Sequence, residues 1–141
     1  MLPVIMLAGC AGAPKDSSAS SSVSASQSNA GPITITNCGQ KVTLDKPATR
    51  AVTLNQGATE DVLAIGGESK LAGTAYLDSG IPKKWKKAYD SVKVLAKKYP
   101  SKETFLSAKP DLAVSSYSSA FTDKAVGTRE ELKKQGIATY I

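Results

Sequence analysis

Histidine is missing from this sequence, and its absence excludes a good deal of chemistry. Without an imidazole there is no Ser-His or Cys-His nucleophilic pair and no His-ligated zinc within the chain. Cysteine is nearly as scarce. Cys10 and Cys38 cannot make a four-cysteine zinc site or staple a disulfide-rich mini-fold. No apolar run reaches the ~18 residues that a membrane-spanning helix needs. Nor is there a Gly-x-Ser-x-Gly, a Gly-x-Gly-x-x-Gly after a strand, or a P-loop, so nothing points to an enzyme of those classes.

What remains is 141 residues, 41% hydrophobic and 21% charged, with a mean hydropathy of −0.16. That is the composition of one soluble, globular domain of roughly 100–150 residues. The formal net charge of +6 would ordinarily raise nucleic acid as a partner. Two features argue against nucleic acid: basic and aromatic residues interleave in only one stretch, Lys83–Lys87, and the amino terminus reads as an export signal.

Met1 to Gly9 is an apolar stretch that closes on small residues, and Leu7-Ala8-Gly9-Cys10 resembles a bacterial lipobox. In that motif a peptidase cuts before the cysteine. A diacylglyceryl thioether and an amine-linked acyl chain such as palmitate then anchor the protein to the membrane. No Lys or Arg precedes the apolar stretch, so the expectation is that the natural start lies upstream. The alternative is a chance apolar terminus with a free, buried Cys10. From Ala11 to Gly31 the composition collapses to Ser, Ala, Gly and Asn, with too little apolar surface to offset ordering entropy. Such a tether has a root-mean-square reach of about 25 Å. The expected organisation is therefore signal remnant 1–9, lipidated tether 10–31 and folded part 32–141.

The folded part alternates. Ile33–Thr36 and Lys41–Leu44 read as a β-hairpin around a polar turn at Asn37–Gln40. Arg50–Leu54 is a short, mostly apolar strand of the kind found in parallel sheets. After a polar loop Asn55–Gly57, a helix is expected from Ala58 to Ile65, buried through Ala58, Val62 and Ile65 and stopped by Gly66-Gly67. Further strands are expected at Lys70–Ala75, Val92–Leu95, Leu112–Ser115 and Ile137–Ile141. Helices are expected at Lys83–Tyr89, Ser101–Ala108 and Thr128–Lys134, the last with a capping box at Thr128. Strands alternating with helices imply an α/β fold, an αβα sandwich with a mainly parallel sheet.

Arg50–Leu54 with Ala58-Thr59-Glu60, Lys70–Gly73 and Lys109–Val114 then occur in the order and spacing of one family. They resemble the substrate-binding lipoproteins of iron-siderophore and cobalamin ABC importers, the helical-backbone class of periplasmic binding proteins. Thr53–Glu60 and Gly127–Leu132 are similar to its Gram-positive members. The resemblance covers about residues 33–141 and only the first of the family's two lobes. It implies an ABC permease as partner, a ferric siderophore or related iron chelate as ligand, and attachment outside the cell membrane through the lipid. It implies neither an enzyme nor a cofactor. Cobalamin and haem use the same scaffold. The chain stops inside a predicted strand, which implies a fragment or, alternatively, a truncated non-functional remnant.

Ligands of open parallel sheets sit beyond the carboxyl ends of the strands. The loops there supply the candidate ligand-binding residues Asn55, Gln56, Tyr76 and Tyr117, with Trp85 nearby in the basic run. Amides offer donors and acceptors; tyrosines offer a ring and a hydroxyl. The alternative for Tyr76, Tyr117 and Trp85 is plain packing. Lys83, Lys84, Lys86 and Lys87 are either a solvated helix face or a field that steers an anionic chelate. In the family, the acidic residue eight before the Asp of Lys-Pro-Asp docks on permease arginines; that spacing from Asp111 selects Glu103. Cys38 is read as paired with a residue past Ile141 or as buried and reduced.

Overall fold

The computed structural model describes residues 31–141, so the expectations for residues 1–30, including lipidation at Cys10, lie outside the described residues. The β-branched run Ile33–Asn37 (β1) pairs antiparallel with Gln40–Leu44 (β2) as a separate two-stranded ribbon. Its turn is Cys38-Gly39, with φ of 47° and 74°. Positive φ at both central residues is the geometry that matches strand twist in a two-residue hairpin. Cys38 is exposed, which overturns its reading as a buried thiol.

The main sheet has five strands, all parallel: Ala51–Leu54 (β3), Leu71–Ala75 (β4), Val94–Ala96 (β5), Leu112–Ser115 (β6) and Ala138–Tyr140 (β7). Their order is β5-β4-β3-β6-β7. The four helices between them are Gln56–Ala64 (α1), Lys86–Asp90 (α2), Lys102–Ser107 (α3) and Arg129–Lys134 (α4). The first parallel strand is central; the chain winds outward to β5, then returns across to β6 and β7. Right-handed crossovers place α1 and α2 on one face and α3 and α4 on the other. β3 and β6 therefore flank the point where the winding reverses.

Several boundaries differ from the sequence expectation. Helix α1 starts at Gln56, so Gln56 and Gly57 form its first turn rather than a loop. Its buried residues are Ala58, Thr59 and Leu63, while Ile65 is 82% exposed. The reason is a buried hydroxyl cluster. Thr59 Oγ1 lies 2.9 Å from Thr53 Oγ1 and 2.8 Å from Thr74 Oγ1, which turns the helix toward Thr59 and away from Ile65. The helix expected over Lys83–Tyr89 is a 3-10 turn, Lys83–Trp85, running into α2. The strand expected at Val92–Leu95 is β5, which starts two residues later and ends one residue later.

Val52 and Leu54 of β3, Ala75, Ala113, Phe105, Val126, Leu132 and Ile137 make the core. Fully burying a side chain such as Phe105 or Leu54 is worth ~1.5–3 kcal/mol. Gly73 admits the Leu95 side chain: a Cβ there would meet Leu95 Cγ at 2.7 Å. Ser101 caps α3 by accepting from the Thr104 N–H, and the capping box of Thr128 with Glu131 is fully formed on α4.

Candidate functional site

The loops that follow β3, β4, β5 and β6 gather at the carboxyl edge of the sheet. Asn55 follows β3 with φ 144° and ψ 158°. This conformation is nearly restricted to glycine, and side-chain-bearing residues there cost ~1–3 kcal/mol. The surrounding bonds hold it. Asn55 is 2% exposed; its Nδ2 donates to Tyr99 Oη at 3.1 Å, and its Oδ1 accepts from Ser115 Oγ at 2.5 Å. Asn55 thus spans the reversal point between β3 and β6 and is turned inward, rather than offered to a ligand as the sequence expectation had it. Gly57 fits because its missing Cβ leaves room for Ser116 Oγ, which would lie 2.7 Å from it.

Gln56 is similarly engaged. Its Oε1 accepts from the Ser79 N–H at 2.7 Å and the Ser79 hydroxyl at 3.0 Å, and its Nε2 donates to Glu60. These bonds fasten the loop after β4 to α1. At the start of that loop, Tyr76 takes φ 58° and sets its ring 4.7 Å from the ring of Tyr99. Lys98 Nζ lies 4.7 Å from the Tyr76 ring centroid and 3.5 Å from its hydroxyl. Tyr99 Oη also contacts Ser119 Oγ at 2.9 Å. Tyr117, after β6, is 59% exposed. Trp85 is half-buried in the 3-10 turn before α2, with Lys84 Nζ 3.9 Å from its ring centroid.

The edge therefore presents Tyr76, Tyr99 and Tyr117 with the Lys98 ammonium, supported from below by Asn55, Ser115 and Gln56. Such a surface can stack a planar group, donate hydrogen bonds and favour negative charge. Tyr99 and Lys98 were missed in the sequence because they follow a three-residue strand whose end was placed too early. Glu103 is exposed in the first turn of α3. Its own backbone N–H and the Ser101 hydroxyl, with Lys102 adding to them, hold its carboxyl below the usual glutamate value.

The opposite, amino-terminal edge is a clamp. Asp111 accepts from the Thr49 N–H at 2.8 Å, the Thr49 hydroxyl at 2.9 Å and the Arg50 N–H at 3.0 Å. In return the Arg50 guanidinium donates to the carbonyls of Ala108 and Lys109 at the end of α3. A groove of about 210 Å³ lies between β2 and β7, with Lys41, Arg129 and Lys133 in its walls. Arg129 is already bound to protein acceptors there, so the tyrosine-lined edge, though more open, is the better candidate site.

The fold is a doubly wound parallel α/β lobe with its aromatic and basic side chains beyond the strand ends. No family model matches the chain, and no curated protein matches it. Solved structures do. A periplasmic binding protein from Veillonella parvula is 34% identical, with a TM-score of 0.68 over 78% of this chain and 37% of that one. An ABC-type Fe3+-hydroxamate transport system from Saccharomonospora viridis is 27% identical, with a TM-score of 0.56 over 77% and 38%. The heme binding protein HmuT shares the fold at 20% identity and a TM-score of 0.55, over 84% and 37%. The chain has the fold of one lobe of a periplasmic binding protein. It spans a little over a third of the length of the structures it matches.

Proposed function

We propose that this chain is the first lobe of the substrate-binding lipoprotein of an ABC importer, and that it takes a ferric siderophore or related iron chelate. The observation that carries this reading is the clustering of Tyr76, Tyr99 and Lys98 at the strand ends, with Tyr117 exposed in the loop after β6. Tyr76 and Tyr117 contact the chelate through ring and hydroxyl. Asn55 and Gln56 act beneath them as positioning residues, and Trp85 lies beside the surface. The lobe binds and does not catalyse. Cys10 carries the lipid that holds it at the outer face of the membrane.

Titration with a panel of ferric siderophores, followed by Trp85 fluorescence, tests the reading. One wall of a cleft buries far less than the 70–90% of ligand surface that a formed pocket covers, so affinity weaker than micromolar is expected. Tyr76→Ala and Tyr117→Ala should each weaken it about 2- to 10-fold, the range of an aromatic contact. Unchanged titration curves in both variants would remove the site.

Delivery to the permease is assigned to Glu103. In a two-lobed protein carrying this lobe, Glu103→Ala should lower uptake up to about 5-fold with ligand affinity unchanged, since an exposed ion pair is worth ~0.2–1 kcal/mol. Glu103→Lys should be worse. A fall in melting temperature alongside uptake would make Glu103 a helix-terminus residue instead.

A further inference from the structure

Residues 83–98 contain Lys83, Lys84, Lys86, Lys87, Lys93, Lys97 and Lys98 against a single acid, Asp90. That segment alone carries a net +6, which is the formal net charge of the whole chain; the remaining residues hold eleven basic and eleven acidic side chains and cancel. All seven lysines are exposed. Within the segment only Lys86 has a carboxylate partner, Asp90 one helical turn on. The positive charge of the chain is therefore concentrated along one side of the lobe, on α2 and around the edge strand β5.

We infer that this side is an adsorption surface for an anionic phospholipid bilayer. The ammonium groups do not converge on a point as they would around a small anion. Lys93 precedes β5 and Lys97 follows it, while four others line the turn and helix before it. An extended charge of this kind fits an extended array of phosphates. The aromatic residues of the same helix lean inward: Trp85 is half-buried under Lys84, and burial raises the Tyr89 phenol above its usual value. The outward face is thus mainly ammonium, with Val94 on β5 as its one exposed large apolar side chain, so the lobe lies against headgroups and inserts little. The acidic partner that such a surface needs also differs from the arginine-bearing permease proposed for Glu103. The inference uses the proposed extracytoplasmic reading only to say which bilayer is near; of the seven lysines only Lys98 also belongs to the proposed ligand surface.

Vesicle co-sedimentation of the full chain, with Cys10→Ala to exclude lipidation, tests it. Each lysine near an anionic surface contributes roughly fivefold to partitioning. At about 0.01 M salt, where the screening length is ~30 Å, the chain should bind vesicles containing roughly one-third phosphatidylglycerol. It should leave them at about 1 M salt, where that length is ~3 Å. Replacing Lys83, Lys84, Lys86 and Lys87 by glutamine should lower partitioning at least about a hundredfold. The same change at Lys133 and Lys134 on α4 should have little effect. Equal binding to phosphatidylcholine vesicles overturns the inference, as does retention by the four-lysine variant or by the wild-type chain at high salt. Preference for duplex DNA over vesicles at equal phosphate overturns it in favour of a nucleic-acid surface. The salt series on the wild-type chain decides the matter even if the variant misfolds, and siderophore titration of the same preparation reads the ligand site separately.

Discussion

Arg129→Ala is expected to lower the unfolding free energy by about 3 kcal/mol, the loss of several charge-assisted hydrogen bonds from a buried site. Arg129 is 8% exposed at the first position of α4. Its Nε donates to Thr139 Oγ1 at 2.9 Å, its Nη1 to the Asn37 carbonyl at 3.1 Å, and its Nη2 to Asn37 Oδ1 at 3.1 Å and the Thr139 carbonyl at 3.2 Å. Among the described residues no carboxylate bridges to it, so the charge is spread over neutral acceptors. Those acceptors belong to the hairpin and to β7, and Asn37 in turn pairs with both backbone groups of Ile141. Truncation removes the group that ties hairpin, helix and edge strand together. Urea denaturation measures the loss, and amide exchange across residues 33–44 should accelerate with it. Arg129→Lys should recover less than half, because an ammonium cannot reach four separated acceptors in the plane of a guanidinium. A loss below about 1 kcal/mol for Arg129→Ala would show that the hairpin holds to the lobe by its apolar residues instead.

Asp111→Ala should cost about 2 kcal/mol, in keeping with three hydrogen bonds to a partly solvated carboxylate. Burial pushes the Asp111 carboxyl up, but the Thr49 and Arg50 N–H groups, the Thr49 hydroxyl and its own N–H outweigh it, and the net effect holds the carboxyl below the usual aspartate value. The folded pKa is thus lower than the unfolded one, near ~3.9. The stability it contributes is complete above the unfolded value and is lost as pH falls through the folded one. Between about pH 5 and pH 2, the difference in stability between wild type and Asp111→Asn should therefore shrink as pH falls. A difference that stays constant over that range would mean that the bonds to Thr49 and Arg50 do not depend on the charge.

The same residue shows what a motif can mark: a contact that holds the fold. Lys109-Pro110-Asp111 and Arg50 carry the resemblance to the importer family, yet in the folded chain they face each other across the amino-terminal strand ends. Asp111 satisfies the N–H groups entering β3, and Arg50 satisfies the carbonyls leaving α3. Their spacing in sequence marks the fold. Their contacts hold it, and the ligand-type surface lies at the other edge.

Local signals were legible because they act over a few residues. Alternating β-branched residues with Cys38-Gly39 between them set the hairpin, the Thr128–Glu131 pair set the start of α4, and the order of strands and helices set a parallel α/β lobe. The absence of histidine and the scarcity of cysteine removed whole classes of chemistry before any contact was known. What the tertiary structure decided was the direction in which side chains face. Asn55 and Gln56 have the chemistry of ligand contacts, but Ser115, Tyr99 and Ser79, distant in sequence, engage their amides. Tyr99 and Lys98 became part of the site only when β5 ended beside β4 and brought them over Tyr76. Periodicity specifies which positions can be buried. Which polar group meets which depends on strand order and register, and these are set by pairings between residues far apart in the chain.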